Sequence, residues 1–223
     1  SQKQLDASKT KQYQHYKKLV NTSDSNLEHN STKLLETAQT KEELTFANFI
    51  KGGYMYRQGE YVNAIFYLEK AEQLGKGIAP IDVQRGYTNA LVISYRRAGL
   101  IQQSNDAWER EQELIKKSNN PHKEAEYFYN LSKINDIDED YCEASKNKKK
   151  FLSLVPAVAQ KSDLDYIFAT HAQIAFDEVK CGNINESKDY LTKGQNLLNV
   201  NLDEKNPTLL EIYKLAQALI FLH

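Results

Sequence analysis

The most constraining feature of this sequence is the segment 47–71, in which small residues recur at helical spacing on both sides of a glycine. The small residues are Gly52, Ala64 and Ala71, and the separating glycine is Gly59. Two antiparallel helices can approach closely only where each presents a small side chain, and bulkier neighbours then fill the flanks. Gly59 suits the left-handed residue that commonly ends a helix. The segment therefore predicts a tightly packed pair of helices.

This pattern resembles a tetratricopeptide repeat. Small residues at Ala64, Ser104 and Ala144 recur at intervals of about 40 residues, a period shared with armadillo and HEAT repeats. The resemblance implies an all-α fold, a right-handed superhelical solenoid of about five antiparallel helix pairs plus a terminal helix. We expect one domain over 1–223, part of a longer protein. It would contain a degenerate pair at 1–40, repeats at about 41–80, 81–120, 121–160 and 161–200, and a terminal helix at 206–223.

Local signals mark where helices begin and end. Thr40 followed by Glu43 forms a capping box and predicts a helix start. A turn is expected at Gly182, and another in the acidic run 136–140, which we interpret as a solvated turn. The lysine-rich run 146–150 would likewise form a solvated helix face.

Composition and charge exclude several classes of protein. The 29 basic and 30 acidic residues give a formal net charge of −1, so no overall basic field is available for nucleic acid. No apolar run is long enough to span a membrane. Cys142 and Cys181 leave both a disulfide and free thiols open, without any metal-binding CxxC spacing. We expect a cytoplasmic protein, with a periplasmic sensor region released from a signal peptide as the alternative.

No catalytic constellation occurs in the sequence. The five histidines are scattered, and the phosphate-loop, dinucleotide and nucleophile-elbow motifs are missing. We therefore predict no enzymatic activity, no metal and no cofactor.

The resemblance also implies where a ligand would bind. In this family the first helix of each pair lines a concave groove that holds a peptide. Asparagine amides can pair with a peptide backbone, and arginine can fork onto carboxylates. The lysine pattern of chaperone-binding carboxylate clamps is not reproduced. The predicted groove residues are Phe49, Tyr56, Arg57, Asn89, Ile93, Arg96, Arg97, Tyr129, Asn130, Lys133, Gln173 and Phe176.

These features favour a non-catalytic domain that binds a protein or peptide with acidic side chains or a free carboxylate. The 40-residue repeats and the composition rich in Asn and Lys resemble the repeat regions that precede DNA-binding domains in transcriptional regulators of the Bacteroidetes kind. This resemblance implies a sensor or interaction role. A peptide-pheromone receptor, a relative of response-regulator phosphatases and a passive scaffold are the alternatives. The apolar terminal helix also suggests a possible homodimer.

Overall fold

A computed structural model describes residues 24–155, 161–201 and 207–222. Within these ranges the secondary structure is entirely α-helical, and turns or short loops separate the helices. The fold is the all-α helical repeat of the solenoid class that the sequence predicts. The helices are α1 (Asp24–Thr37), α2 (Lys41–Arg57), α3 (Tyr61–Gly75), α4 (Ile81–Arg97), α5 (Ile101–Lys117), α6 (Lys123–Ile137), α7 (Tyr141–Leu154), α8 (Lys161–Lys180), α9 (Ile184–Asn201) and α10 (Pro207–Phe221).

The chain divides into two compact units, Ser1–Asn120 and Pro121–His223. In the first unit each helix from α1 to α5 packs on the next, and α2 also contacts α4. In the second unit α6, α7, α8 and α9 pack in the same sequential way, and α10 packs on both α8 and α9. The first helix of the degenerate pair expected at 1–40 lies outside the described residues. A single domain over 1–223 within a longer protein stays a prediction.

The predicted helix boundaries are those that the backbone adopts. The Glu43 amide donates to Thr40 Oγ1 over 3.1 Å, and the Glu43 carboxylate accepts from the Gln39 and Thr40 amides. These two backbone hydrogen bonds hold the pKa of Glu43 below its usual range. The turns after α2, α4 and α8 contain Gly59, Gly99 and Gly182, all with φ between +76° and +86°.

A single register relates the second helices of the four pairs between α2 and α9. Ala64, Ser104, Ala144 and Ser187 occupy equivalent positions in α3, α5, α7 and α9, and all four are completely buried. The two serines are tolerated because their hydroxyls donate to backbone carbonyls of the paired helix. Ser104 donates to the Val92 carbonyl over 2.8 Å, and Ser187 donates to the Ala175 carbonyl over 2.5 Å.

The lysine-rich run 146–150 is only partly solvated, so the predicted solvated face is wrong for its central residue. Lys148 has a side chain that is 3% exposed. Its ammonium donates to carboxylates of Asp136 and Asp177, which approach it from α6 and α8. The predicted turn in 136–140 is confirmed, with Asp138, Glu139 and Asp140 exposed.

Helix α10 contributes to the core of the second unit. The Tyr213 hydroxyl donates to the Phe168 carbonyl over 2.8 Å, and its ring is buried with residues of α8 and α9. It occupies space left by Gly194, where an added Cβ would lie 1.8 Å from the Tyr213 oxygen. Leu215 and Phe221 of α10 are exposed. A homodimer through this helix stays a prediction.

Candidate functional site

Most of the groove residues predicted in the first unit are already engaged in packing. The Phe49 ring lies edge-to-face on Tyr87, with 6.1 Å between ring centroids, and covers Gly86 in α4. Ile93 is buried at 5% exposure. The Asn89 amide donates to the Glu111 carboxylate of α5 over 2.9 Å. These three side chains therefore pack or form hydrogen bonds within the first unit.

Two arginine side chains of the first unit are exposed and available to a ligand, and the other three bind neighbouring residues. All five arginines of the chain lie between residues 57 and 110. Arg57 and Arg97 are exposed, and no carboxylate from the described ranges lies within ion-pair distance of either guanidinium. The other three bind neighbours within the unit: Arg85 to Asp82 at 2.9 Å, Arg110 to Glu72 at 2.7 Å, and Arg96 to Ser104 at 3.1 Å and Asn105 at 3.0 Å.

Tyr56 directly precedes Arg57 in the last turn of α2 and packs on the start of α3. Its ring is half-buried and packs edge-to-face on Tyr61, with 6.1 Å between centroids. Burial raises the pKa of Tyr56, Tyr61 raises it further, and Arg97 opposes the increase. The phenol is therefore a neutral hydrogen-bond donor close to a guanidinium. We call Tyr56, Arg57, Tyr61 and Arg97 the arginine–tyrosine cluster.

The arginine–tyrosine cluster combines planar guanidinium groups with aromatic walls. Guanidinium groups can bind a carboxylate through paired, charge-assisted hydrogen bonds, and they can stack on aromatic rings. Tyr56, Arg57 and Arg97 are among the groove residues predicted from the sequence, but Tyr61 is not. The position of Tyr61 directly after the Gly59 turn was the available signal, because that turn returns α3 beside the end of α2.

In the second unit, the predicted Tyr129, Lys133 and Phe176 take part in two separate lysine–aromatic pairs, the second of which is completed by Lys180. Lys133 Nζ lies 4.4 Å from the centroid of Tyr129, whose ring also packs on Phe151 of α7. On α8, Lys180 Nζ lies 5.7 Å from the centroid of Phe176. Asn130 is buried and Gln173 is half-buried. These pairs place ammonium groups against ring faces.

The described residues contain no group of three or more His, Cys, Asp or Glu side chains arranged to hold a metal ion. Burial lowers the pKa of His171, and its Nδ1 donates to the Ile167 carbonyl over 2.8 Å. This imidazole therefore has a structural hydrogen bond within α8. None of the described helices is long and apolar enough to cross a membrane.

Comparison with known proteins identifies the fold but not a family. No protein-family model matches the sequence, and the search of curated proteins finds no match. BtubC (BKLC) from P. vanneervenii is similar in structure, with a TM-score of 0.63 and 13% identity over 88% of this chain and 79% of that chain. PlcR from Bacillus thuringiensis, solved in complex with the peptide PapR7 and DNA, is also similar in structure. Its TM-score is 0.61, with 17% identity over 97% of this chain and 73% of the PlcR chain. Both likenesses show a shared helical-repeat fold.

Proposed function

We propose that this chain is a non-catalytic helical-repeat domain that binds a peptide or protein segment. It would act as the sensor or interaction region of a larger bacterial regulatory protein. The observation that carries the proposal is the structural similarity to PlcR, which extends over 97% of this chain. The PlcR structure contains a bound peptide. The alternative in which the ligand is a short free peptide, as in pheromone receptors, draws on the same observation.

The arginine–tyrosine cluster is the proposed contact point for a carboxylate of that ligand. Its two guanidinium groups face solvent without a carboxylate from the described residues. Both arginines also lie in the last turn of a helix, where a positive charge interacts favourably with the helix dipole. That dipole effect leaves the donors free to bind, so it supports the helix ends without occupying the guanidinium groups.

The attraction of an acidic partner would depend on Arg57 and Arg97 themselves, because residues 24–120 contain 12 Lys and Arg against 13 Asp and Glu. Such a partner should bind more weakly as salt screens this attraction.

A peptide array tests the proposal directly. The full chain is applied to random octapeptides that carry a free carboxyl terminus, and to the same peptides with an amidated terminus. We expect binding to be enriched among acidic or free-carboxylate peptides. Selective loss on amidation would indicate a terminal carboxylate and so a short free peptide. An array without any binder above background would contradict the proposal.

Matched variants then locate the site. Arg57→Gln combined with Arg97→Gln should weaken binding of an array-selected peptide by about tenfold or more, because each charge-assisted hydrogen bond contributes about 1.5–3 kcal/mol. The control combines Lys76→Gln with Lys117→Gln, which removes the same charge from two exposed positions of the first unit. Equal losses in both double variants would assign the effect to net charge and remove the arginine–tyrosine cluster from the site.

A further inference from the structure

The junction between α7 and α8 is built from charges, in contrast to the junction between α3 and α4. The residues buried in α3 and α4 include Leu68, Val83 and Leu91. At the later junction the buried side chains include Lys148 of α7 with Asp177 and Glu178 of α8. The second unit therefore joins consecutive helix pairs through ionisable groups that are buried away from water.

Two lysines organise this junction. Lys148 Nζ lies 2.6 Å from an Asp136 oxygen and 2.7 Å from an Asp177 oxygen. Lys149 Nζ lies 2.7 Å from a Glu178 oxygen and 2.6 Å from a Glu186 oxygen at the start of α9. We call these two lysines and their four carboxylates the junction network.

Hydrogen bonds complete the coordination of the buried Glu178 carboxylate. The Ser145 hydroxyl and the Asn183 amide both donate to it. Burial alone would raise the pKa of Glu178, but the hydrogen bonds from Lys149, Ser145 and Asn183 outweigh it and hold the pKa below its usual range. Burial raises the pKa of Asp177 to about 7 despite the nearby Lys148 ammonium.

A disulfide spans the same junction. Cys142 belongs to the first turn of α7, and Cys181 directly follows α8, with 5.4 Å between their Cα atoms. Cys142 is exposed, so a reductant can reach the bond from solvent. The ring of Tyr141 packs edge-to-face on Phe176 beside it, with 5.8 Å between centroids.

The chemistry of the junction makes the covalent bond important. Opening an apolar junction exposes apolar surface to water, which is costly throughout the separation. Opening an ionic junction returns its charges to water, and the hydration regained offsets much of the lost attraction. The junction network therefore resists separation less than an apolar contact of similar size. The disulfide supplies the restraint that the ionic contacts lack.

We propose that the Cys142–Cys181 disulfide is a redox latch that keeps α7 on α8 when oxidised and permits this junction to open when reduced. A dithiol reductant cleaves the bond when one of its thiolates attacks the Cys142 sulfur and the Cys181 thiolate leaves. The second thiol of the reductant then displaces Cys142 from the mixed disulfide. Two electrons and two protons pass from the dithiol to the cysteine pair, and the reductant becomes a disulfide.

Hydrogen exchange of the full chain, with and without dithiothreitol, tests the latch. Reduction should accelerate amide exchange by about tenfold or more in segments 141–154 and 177–190, which corresponds to about 1.4 kcal/mol of lost protection. Segment 61–97 serves as the internal control, because it contains no cysteine and its buried residues are mostly apolar, with one hydrogen bond from Tyr95 of α4 to Glu69 of α3. Unchanged exchange in 141–154 and 177–190 after complete reduction, verified by thiol alkylation, would overturn the proposal.

Two variants separate the latch from general destabilisation. Cys142→Ser with Cys181→Ser should exchange like the reduced protein and should not respond to dithiothreitol. Lys148→Met with Asp177→Leu replaces the buried ion pair by apolar side chains, which is often neutral or stabilising. The pairs of Lys149 with Glu178 and Glu186 remain in this variant, so reduction should accelerate exchange across the junction less than in the parent. A response as large as that of the parent would show that the buried Lys148–Asp177 pair plays no part and would refute the mechanism.

Discussion

Gly52 and its neighbour Gly53 provide a matched test of the proposed closest approach between α2 and α3. A Cβ added at Gly52 would lie 2.7 Å from Leu68 Cγ, 2.9 Å from its Cδ2 and 3.2 Å from its backbone nitrogen. A Cβ added at Gly53 would meet nothing within 4 Å. Leu68 is completely buried, so its side chain cannot move aside without disturbing other core residues.

The two alanine substitutions share one energetic effect and differ in another. Each should gain about 1 kcal/mol from the better helix propensity of alanine. Gly52→Ala should also incur an overpacking cost of about 1–3 kcal/mol. Gly53→Ala should therefore be more stable than the parent, and Gly52→Ala should be less stable than Gly53→Ala by about 1–3 kcal/mol. For a chain of this size that difference corresponds to about 2–12 °C in Tm.

Thermal and urea denaturation followed by circular dichroism measure this difference. The slope of the urea transition should stay constant, because neither substitution changes the surface exposed on unfolding. Gly52→Leu should exaggerate the destabilisation, since it places a larger side chain at the same contact. Equal stability of Gly52→Ala and Gly53→Ala would refute the helix register on which the fold description is based.

Three further predictions concern caps, titration and the last helix. Thr40→Ala should lower the free energy of unfolding by about 1 kcal/mol, because the Glu43 amide loses its capping acceptor, and thermal melts check this. Because burial raises the pKa of Asp177 to about 7, its contribution to stability is complete below its unfolded-state pKa and is lost as pH rises through about 7. Urea midpoints should therefore fall as pH rises through that range, and Asp177→Asn should flatten the dependence. Tyr213→Phe should cost about 1 kcal/mol, measured by urea denaturation, since the hydrogen bond to the Phe168 carbonyl is lost.

The sequence was sufficient for features that depend on neighbouring residues. The capping box at Thr40 and the glycine turns at Gly59 and Gly182 involve only a few adjacent positions, so they can be recognised from the sequence alone. The helix register followed from small residues at one interval. Ser104 replaces alanine in that pattern, and it is compatible with burial because its hydroxyl donates to the Val92 carbonyl of the paired helix.

Features that depend on distant residues could not be read from spacing. Helical periodicity places Asn89 and Arg96 on one face, but their partners in α5 were outside the pattern. The sequence pattern predicted a solvated face for the lysine-rich run, because Asp177 is distant in sequence and only the fold brings it to Lys148. Likewise, the sequence left the state of Cys142 open, since separation along the chain does not determine the distance between two cysteines.

The contact between Gly194 and Tyr213 limits how this array could change its number of repeats. At the register positions that correspond to Gly194, the earlier second helices carry Ala71, Glu111 and Phe151. The Tyr213 oxygen already lies where a Cβ at Gly194 would be, so none of these residues could replace the glycine beneath α10. A duplicated repeat inserted after α9 would separate the glycine from its tyrosine. Growth or loss of repeats during evolution would therefore be tolerated more readily elsewhere in the chain, with α9 and α10 inherited as one piece.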